Sequence, residues 1–229
     1  MKIAYVCHSP IPSNIASSVQ VMKMCGALAR DHEVTLFCPT SVGPFAPADI
    51  HRFYGVRPTF KIRRVPRLGS WMNRIVHPAR LLRWQIMFGG FDLVYARCNT
   101  WDHYHLHKVK RPMIFEAHLL RRGRPIDKML LHPWLRGLVV ISEGPRSDYA
   151  KPYNFDDVEV LVAHDGADPV KAHSPVKLPG SNAVKCGYVG NLYRGKGMEV
   201  VIPLAQRCPQ IDFHVFAAPR TRSPSGGPP

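Results

Sequence analysis

The feature that most constrains the fold is a series of short, strongly apolar segments that recurs through the first 165 residues. Each segment has the length of a strand, and a helical segment from Ser17 to Arg30 separates the first two. This opening strand–helix–strand order is typical of a parallel sheet with crossover helices. Strands that are apolar on both faces need helices on each side of the sheet. The predicted strands are Lys2–Cys7, Val34–Cys38, Phe60–Val65, Asp92–Ala96, Pro112–Ala117, Gly137–Ile141 and Val158–Val162. Residues 1–168 are therefore predicted to form one Rossmann-like α/β domain.

Local signals predict where several helices begin or break. Ser17 and Gln20 have the spacing of a capping box, in which the two side chains satisfy the first free amides of a helix. Ser142 follows a predicted strand and is expected to cap the next helix. The segment from Trp71 to Phe88 is predicted to be helical in part, with a break or kink at Pro78.

A second, shorter α/β unit follows a proline-rich segment. Residues 169–182 lack any apolar period and are predicted to be a linker. A strand–turn–helix–strand pattern then occupies residues 183–216 and predicts the beginning of another Rossmann-like unit. Residues 217–229 hold four prolines and two glycines with no apolar pattern, so they are predicted to be unstructured.

The turn of this second unit is rich in glycine and predicts an anion site. The glycines, which permit tight turns and leave amides uncovered, are Gly187, Gly190, Gly195 and Gly197. Backbone amides and the positive end of a helix dipole attract phosphate, and Arg194 and Lys196 add two cations beside them. A phosphate-bearing ligand is therefore the predicted occupant.

Two other interpretations of this turn stay open. Gly190 to Lys196 fits the first seven positions of the P-loop pattern of NTPases, but Gly197 stands where that pattern needs a magnesium-binding hydroxyl. The turn could also be a plain strand–turn–helix connection with two solvated cations.

Charge and cysteine usage restrict the partners and the compartment. The formal net charge is +15, which predicts attraction to nucleotide phosphates, nucleic acid or an anionic membrane. The six cysteines are scattered without a C-x-x-C pair, so buried free thiols in a reducing compartment are expected rather than disulfides. The apolar run at the amino terminus is too short for a signal peptide, and no segment has the length of a membrane span. A cytoplasmic protein is therefore expected.

Four segments, in this order and spacing, resemble the retaining family 4 glycosyltransferases. They are KIAYVCHSPIPSNIASSVQVMKMCGALARDHEVTLFCP, PMIFEAH, VVISEGPRSDY with VEVLVAHDGAD, and GNLYRGKGMEVVIPLA. The resemblance implies two Rossmann-like domains of the GT-B type, an amino-terminal one for the acceptor and a second one for the donor. It implies transfer from a UDP- or GDP-sugar to a glycan or lipid-linked acceptor, without a cofactor or metal.

The resemblance also assigns roles to particular residues. His118 would lie beside the donor sugar as the catalytic residue, and the alternative is a strand-end histidine bonded to a neighbouring loop. Glu116, two residues earlier, is expected to support the site rather than act as a base. The donor phosphates would lie at Gly190, Asn191, Arg194 and Lys196, and the acceptor loop would include Asn14, Ser17 and Ser18.

The chain departs from the family pattern in three places. Asn191 stands where the family has an arginine, with Arg194 as a partial substitute, and residues 14–17 replace the usual paired glycines. The paired glutamate motif that grips the donor ribose and sugar is absent. The chain is therefore expected to be a truncated enzyme that is inactive alone.

Two further clusters have competing interpretations. His103, His105 and His107 alternate as zinc ligands on a strand would, but a loop or helix here would separate them. No acidic residue occurs from Ile50 to Phe91, while nine Lys or Arg occur among aromatic residues. This strip is predicted either to touch an anionic membrane or to be a basic surface whose aromatics are buried.

Hence the alternative to an enzyme is a basic binding module for anionic glycan, membrane or nucleic acid. No motif indicates specific nucleic-acid recognition.

Overall fold

The structure is a computed structural model that describes residues 1–39, 48–65, 78–97, 105–118, 124–169, 174–190, 192 and 194–217. It divides into two compact units, Met1–Ala167 and Asp168–Pro229. Each unit is an α/β structure with its own sheet.

The first unit contains seven strands that form one parallel sheet in the order β3-β2-β1-β4-β5-β6-β7. Its elements are β1 (Lys2–Val6), α1 (Ala16–Leu28), β2 (Glu33–Pro39), α2 (Ile50–Phe53), β3 (Lys61–Val65), α3 (Pro78–Phe88), β4 (Leu93–Arg97), a 3₁₀ turn (Leu106–Lys108), β5 (Met113–Ala117), α4 (Arg124–Leu130), β6 (Leu135–Val140), α5 (Glu143–Ala150) and β7 (Glu159–Val162). The predicted Rossmann-like parallel sheet is confirmed.

Helices cover both faces of this sheet, and each face has its own core. Along β1, Ala4 and Val6 belong to one apolar cluster and Tyr5 belongs to the other. The first cluster includes Leu82 of α3, and the second includes Met22 of α1. Because neighbouring residues of a strand point to opposite faces, only a continuous apolar run can supply both cores. This explains why the strands are recognisable in the sequence.

The strand order places a topological switch point between β1 and β4. From β1 the chain builds β2 and β3 on one side of the sheet, and it then continues with β4 on the other side. In parallel α/β sheets, ligands bind in the crevice at the carboxyl ends of the strands at such a point. The sheet therefore indicates where a site should be sought.

The predicted capping box at the start of α1 is wrong. Helix α1 begins at Ala16, and its N-cap residue Ile15 makes no side-chain capping bond. Ser17 already lies inside the helix, and its hydroxyl accepts a hydrogen bond from Ser9 (3.1 Å). The amide of Gln20 points to groups at the strand ends instead of to the helix terminus. Ser17 and Gln20 therefore make hydrogen bonds with residues outside the helix instead of capping it.

The other predicted helix starts have mixed outcomes. Helix α3 begins at Pro78, where the missing amide of proline costs no helical hydrogen bond, and residues 66–77 lie outside the described part. Ser142 occupies the N-cap position of α5, but its side chain makes no capping bond. The short helices α2 and α4 were not predicted, because neither carries a long apolar period.

The five cysteines that the structure describes are free thiols; three are buried as expected, whereas Cys186 and Cys208 are only partly buried. Cys7, Cys25 and Cys38 are the three buried thiols, and they share the core cluster between α1 and the sheet. Burial raises the pKa of Cys7 and Cys25 well above their ordinary values and that of Cys38 to about 12. These thiols therefore behave as small apolar side chains.

The second unit contains β8 (Val184–Val189), α6 (Met198–Arg207) and β9 (Ile211–Phe216), with β8 and β9 paired in parallel. Apolar side chains remain exposed on all three elements, including Val189, Val200 and Phe216. Residues 218–229 of the predicted tail lie outside the described part. Among the described residues, no helix is long and apolar enough to cross a bilayer.

Candidate active site

Polar side chains converge at the carboxyl ends of the central strands, next to the switch point. Arg97 is the last residue of β4. Glu116 is the second-last residue of β5, and His118 is the first residue after that strand. Glu116 pairs with Arg97 in the strand register. Both Arg97 and Glu116 are buried although they carry charge. Buried charges of this kind need partners, and the cluster supplies them.

Glu116 is the centre of this cluster because Tyr95 and four further side chains contact its carboxylate. Its Oε1 accepts from Arg97 Nε (3.1 Å) and from Gln20 Nε2 (3.1 Å), and it contacts His118 Nε2. Its Oε2 accepts from Tyr5 Oη (3.3 Å). A carboxylate with this many donors is satisfied without water.

The surroundings of Glu116 keep it ionised. Burial raises the pKa of its carboxyl, but the hydrogen bond with His118, the charge of Arg97 and the hydrogen bond with Tyr95 lower the pKa by more. The result is a pKa below the ordinary value of 4.5. Burial and the nearby Glu116 carboxylate also raise the pKa of Tyr5, so its phenol remains a neutral donor.

Arg97 connects the carboxylate, the histidine and the start of α1. Its Nη2 lies 3.4 Å from His118 Nδ1, and its Nη1 lies 3.5 Å from the carbonyl oxygen of Ser17. Only 7% of its side chain is exposed. The guanidinium therefore sits between the end of β5 and the first turn of α1, with donors on several sides.

Gln20 extends the cluster towards the end of β7. Its amide nitrogen lies 3.1 Å from Glu116 Oε1 and 3.2 Å from Asp165 Oδ1, and both carboxylates accept from it. Its Oε1 is buried and has no hydrogen-bond partner among the residues that the structure describes. Asp165 lies in the HDGAD segment that follows β7. Helix α1 and three strand ends are thus joined at one edge of the sheet.

The predicted acceptor-loop residues lie in different environments. Ser17 is part of the cluster through its contact with Arg97. Ser18 is buried, and its hydroxyl donates to the carbonyl oxygen of Pro10 (2.7 Å), which holds the loop against the helix. Asn14 is exposed at the surface. Of these residues, therefore, Ser17 contacts the cluster through Arg97, and Ser18 holds the preceding loop against the helix.

The predicted donor loop lies in the second unit, between β8 and α6. Gly195 (φ +85°) and Gly197 (φ +94°) have backbone angles that side-chain-bearing residues rarely adopt, which explains the glycines there. Arg194 and Lys196 are exposed, and Asn191 lies outside the described residues. The amide of Gly190 donates to the carbonyl oxygen of Phe216 (3.1 Å) and so joins the loop to β9.

One predicted open amide of this loop is occupied. The amide of Gly195 donates to Glu199 Oε1 (2.6 Å), so a side chain of α6 already provides an anion at the helix start. Hydrogen bonds from its own amide, Gly195 and Gly197 lower the pKa of Glu199. A phosphate that binds here meets Arg194 and Lys196 beside a resident carboxylate.

Two of the three histidines considered as zinc ligands, His105 and His107, lie at a turn. His105 and His107 flank the start of the 3₁₀ turn, with ring centroids 5.7 Å apart, and His103 lies outside the described residues. Within the described part of the chain, no group of three His, Cys, Asp or Glu side chains could hold a metal.

A separate open depression of about 610 Å³ lies at the opposite, amino-terminal edge of the sheet. Leu131, His132 and Arg136 line it beside Asp156 and Asp157. Its lining contains none of the residues of the Glu116 cluster. The carboxyl edge, with its convergent charged groups, is therefore the better candidate for chemistry.

Helix α3 has two apolar faces. Ala79, Leu82 and Ile86 are buried against the sheet, whereas Leu81, Trp84 and Phe88 are exposed, the last two by 64% and 73%. We call these three exposed residues the Trp84 face. The interpretation that all aromatics of the basic strip are buried is wrong for Trp84 and Phe88.

Sequence reasoning missed most of the partners of His118. Arg97 could have been noticed, because a cation directly after an apolar strand is unusual at a sheet edge. Gln20 was assigned to a cap, and Asp165 was noted only as part of a segment. No short-range pattern joins these residues, since 145 positions separate Gln20 from Asp165.

No protein-family model matches the chain, and no curated protein matches it. Solved structures do match. The sucrose-phosphate synthase of Thermosynechococcus elongatus has a TM-score of 0.67 at 16% identity, covering 97% of this chain and 64% of its own. A glycosyltransferase from Rickettsia africae ESF-5 has a TM-score of 0.59 at 14% identity, covering 94% and 68%.

The E. coli trehalose-6-phosphate protein bound with UDP-2-fluoro glucose has a TM-score of 0.59 at 12% identity, covering 96% of this chain and 65% of its own. At such identities the similarity concerns the fold, which is the GT-B glycosyltransferase fold. The chain spans 64% of the length of the T. elongatus enzyme.

Proposed function

We propose that the chain is part of a retaining, metal-independent glycosyltransferase related to family 4. It would transfer a sugar from a UDP- or GDP-sugar to a glycan or lipid-linked acceptor. The observation that carries this proposal is the buried Arg97–Glu116–His118 cluster at the switch point of a GT-B fold. Charged groups are buried only where partners hold them, and the carboxyl edge of a parallel sheet at a switch point is where ligands bind.

The proposed reaction requires a contact beside the reacting sugar and stabilisation of the charge on the leaving group. Glycosyl transfer passes through an oxocarbenium-like transition state, beside which His118 would lie. The departing nucleoside diphosphate gains negative charge, and Arg194, Lys196 and the amides of the donor loop would stabilise it. These cations supply the compensation without a metal. Buried free thiols suit a cytoplasmic location, where thiols stay reduced.

The 229-residue chain alone is expected to lack measurable transfer. In its described second unit, one helix and two strands leave apolar side chains exposed, including Val184, Val189 and Ile202. A nucleotide at such an open surface stays in contact with water, where a high dielectric weakens its phosphate contacts.

Binding of nucleoside diphosphates tests the donor role directly. Calorimetric titration should detect UDP or GDP, and uridine without phosphates should not bind. Lys196→Ala should weaken diphosphate binding about tenfold, the size of one charge-assisted hydrogen bond at an exposed site. Lys151→Ala is the matched control, since Lys151 pairs with Asp148 in the first unit, and it should change nothing. Failure to bind either diphosphate, or equal binding by Lys196→Ala, would contradict the proposal.

A second proposed activity is attachment to an anionic membrane. The Trp84 face presents an aliphatic and two aromatic side chains to solvent, and the exposed Arg80 stands beside it. Arg111 donates to the carbonyl oxygen of Met87 (2.9 Å), so another cation lies at the end of α3. Aromatic residues flanked by cations are typical of helices that lie in the plane of an anionic membrane. Such attachment would bring the enzyme to a lipid-linked acceptor.

A further inference from the structure

Both ring nitrogens of His118 contact groups whose hydrogen-bonding roles are known. Nε2 faces the carboxylate of Glu116, and Nδ1 lies 3.4 Å from Nη2 of Arg97. An ionised carboxylate only accepts hydrogen bonds, and a guanidinium only donates them. A neutral ring that satisfies both contacts carries its proton on Nε2 and a lone pair on Nδ1.

The remaining close contacts of the ring are with donor groups that also have a carboxylate acceptor. Arg97 Nε also donates towards His118 Nε2 (3.3 Å), but its shorter hydrogen bond goes to Glu116 Oε1 (3.1 Å). Gln20 Nε2 lies 3.2 Å from the same ring nitrogen, and its two protons have carboxylate acceptors on Glu116 and Asp165. The opposite tautomer would set the Nδ1 proton against a guanidinium and a lone pair against a carboxylate. Both of those contacts are repulsive.

We propose that Glu116 and Arg97 are positioning residues that hold the neutral His118 ring in its Nε2–H form, with both nitrogens engaged inside the protein. A ring held in this way cannot exchange a proton with a ligand unless one of these contacts breaks first. For transfer, which rests on the proposed function, His118 then acts as a fixed contact surface beside the sugar rather than as a general acid or base.

Nitrogen NMR of the full 229-residue chain tests the assignment, with histidine labelled by ¹⁵N. Spectra are recorded above about pH 8, where an ordinary imidazole is neutral. His118→Asn identifies the signals of His118, and the exposed His164 provides an internal comparison. We expect a protonated Nε2, an unprotonated Nδ1 and a visible ring N–H signal, because only 16% of the side chain is exposed. A proton on Nδ1, or tautomers that average as in His164, would overturn the proposal.

Variants of the two partners test the positioning role. Glu116→Gln replaces an obligate acceptor with an amide that can also donate, and Arg97→Lys removes the planar fork while keeping the charge. Both should broaden or abolish the His118 ring N–H signal. Tyr5→Phe is the control, since its hydroxyl contacts only Oε2 of Glu116, and it should leave the signal unchanged.

An unchanged ring signal in either partner variant that folds would overturn the positioning role. If Glu116→Gln fails to fold, Arg97→Lys and the unmodified chain still decide the matter. These spectra do not depend on diphosphate binding, so failure of this inference and failure of the proposed glycosyltransferase function remain distinguishable.

Discussion

At the scale of single residues, the buried ion pair of Arg97 and Glu116 organises the site. Only 7% and 2% of these side chains are exposed, so both charges have lost most of their hydration. An apolar pair of the same volume would often be as stable or more stable. The pair therefore fits a site in which charged groups must be held in place, with Tyr5 and Tyr95 stacked nearby (ring centroids 4.8 Å apart).

Glu116→Gln should lower the free energy of unfolding by about 3 kcal/mol, measured by urea denaturation. The substitution keeps the volume but leaves the guanidinium of Arg97 buried without its counter-charge. Glu33→Gln is the matched control, since Glu33 pairs with Lys2 and Lys61 at the exposed start of β2. It should have little effect, because solvent screens such pairs. Similar losses in both variants would contradict the structural role of Glu116.

The same variant has an expected pH dependence. The folded protein holds the pKa of Glu116 below its ordinary value, so its ionised form stabilises the fold above about pH 4.5. That contribution is lost as the pH falls through the lowered pKa. The difference in stability between the unmodified chain and Glu116→Gln should therefore shrink in acid, and a difference that grows there would contradict the sign.

Among the secondary-structure elements, helix α3 exposes large apolar side chains that do not pack against the rest of the first unit. Ala79, Leu82 and Ile86 suffice to bury it against the sheet. The Trp84 face repeats the same spacing on the outside, with Trp84 and Phe88 in ring contact (centroids 5.5 Å apart). Large exposed aromatics grouped on one helix indicate an interaction surface.

The chain should co-sediment with vesicles that contain anionic lipid and be released as salt shortens the Debye length to about 8 Å and below. A double change, Trp84→Ser with Phe88→Ser, should abolish this binding, because it removes the apolar contact with the lipid. Trp134→Ser is the control, since Trp134 is an exposed aromatic outside α3. Equal binding to neutral and anionic vesicles would rule out the electrostatic interpretation.

In the whole molecule, the two units differ in how completely they bury their apolar side chains. Met1–Ala167 buries two cores around seven strands, whereas the described part of the second unit buries no apolar side chain fully. Residues 174–181 between the last strand of one unit and the first strand of the other have no helix or strand and are mostly exposed. A protease should reach this segment first.

Limited trypsinolysis should therefore cut between Asp168 and Ser181 and leave a stable core that corresponds to Met1–Ala167. Lys177 is exposed in this segment. Replacing Lys171 and Lys177 by glutamine should slow that cleavage, because trypsin then lacks its target residues there. Early cuts inside the first unit, or unchanged cleavage of the double variant, would contradict this prediction.

The fold class follows from the amino-acid sequence alone, because strands that are buried on both faces must be apolar throughout, and such apolar runs can be recognised without knowing what packs against them. It also placed His118 at a strand end and the donor-loop glycines in a turn, since both follow from local spacing. Short helices such as α4 escaped notice because they lack a sustained apolar period.

The groups that meet around His118 and Glu116 could not be predicted from the sequence, because they depend on the tertiary structure. Arg97 and Gln20, which contact His118, come from a strand and a helix, and Asp165, which contacts Gln20, comes from a loop; the strand order brings them together at one sheet edge. Tertiary packing also places the amide of Gln20 against Glu116 and Asp165 instead of at the predicted helix cap, and it leaves the Trp84 face exposed to solvent. Contacts between distant parts of a chain depend on sheet order and helix placement, which no local pattern encodes.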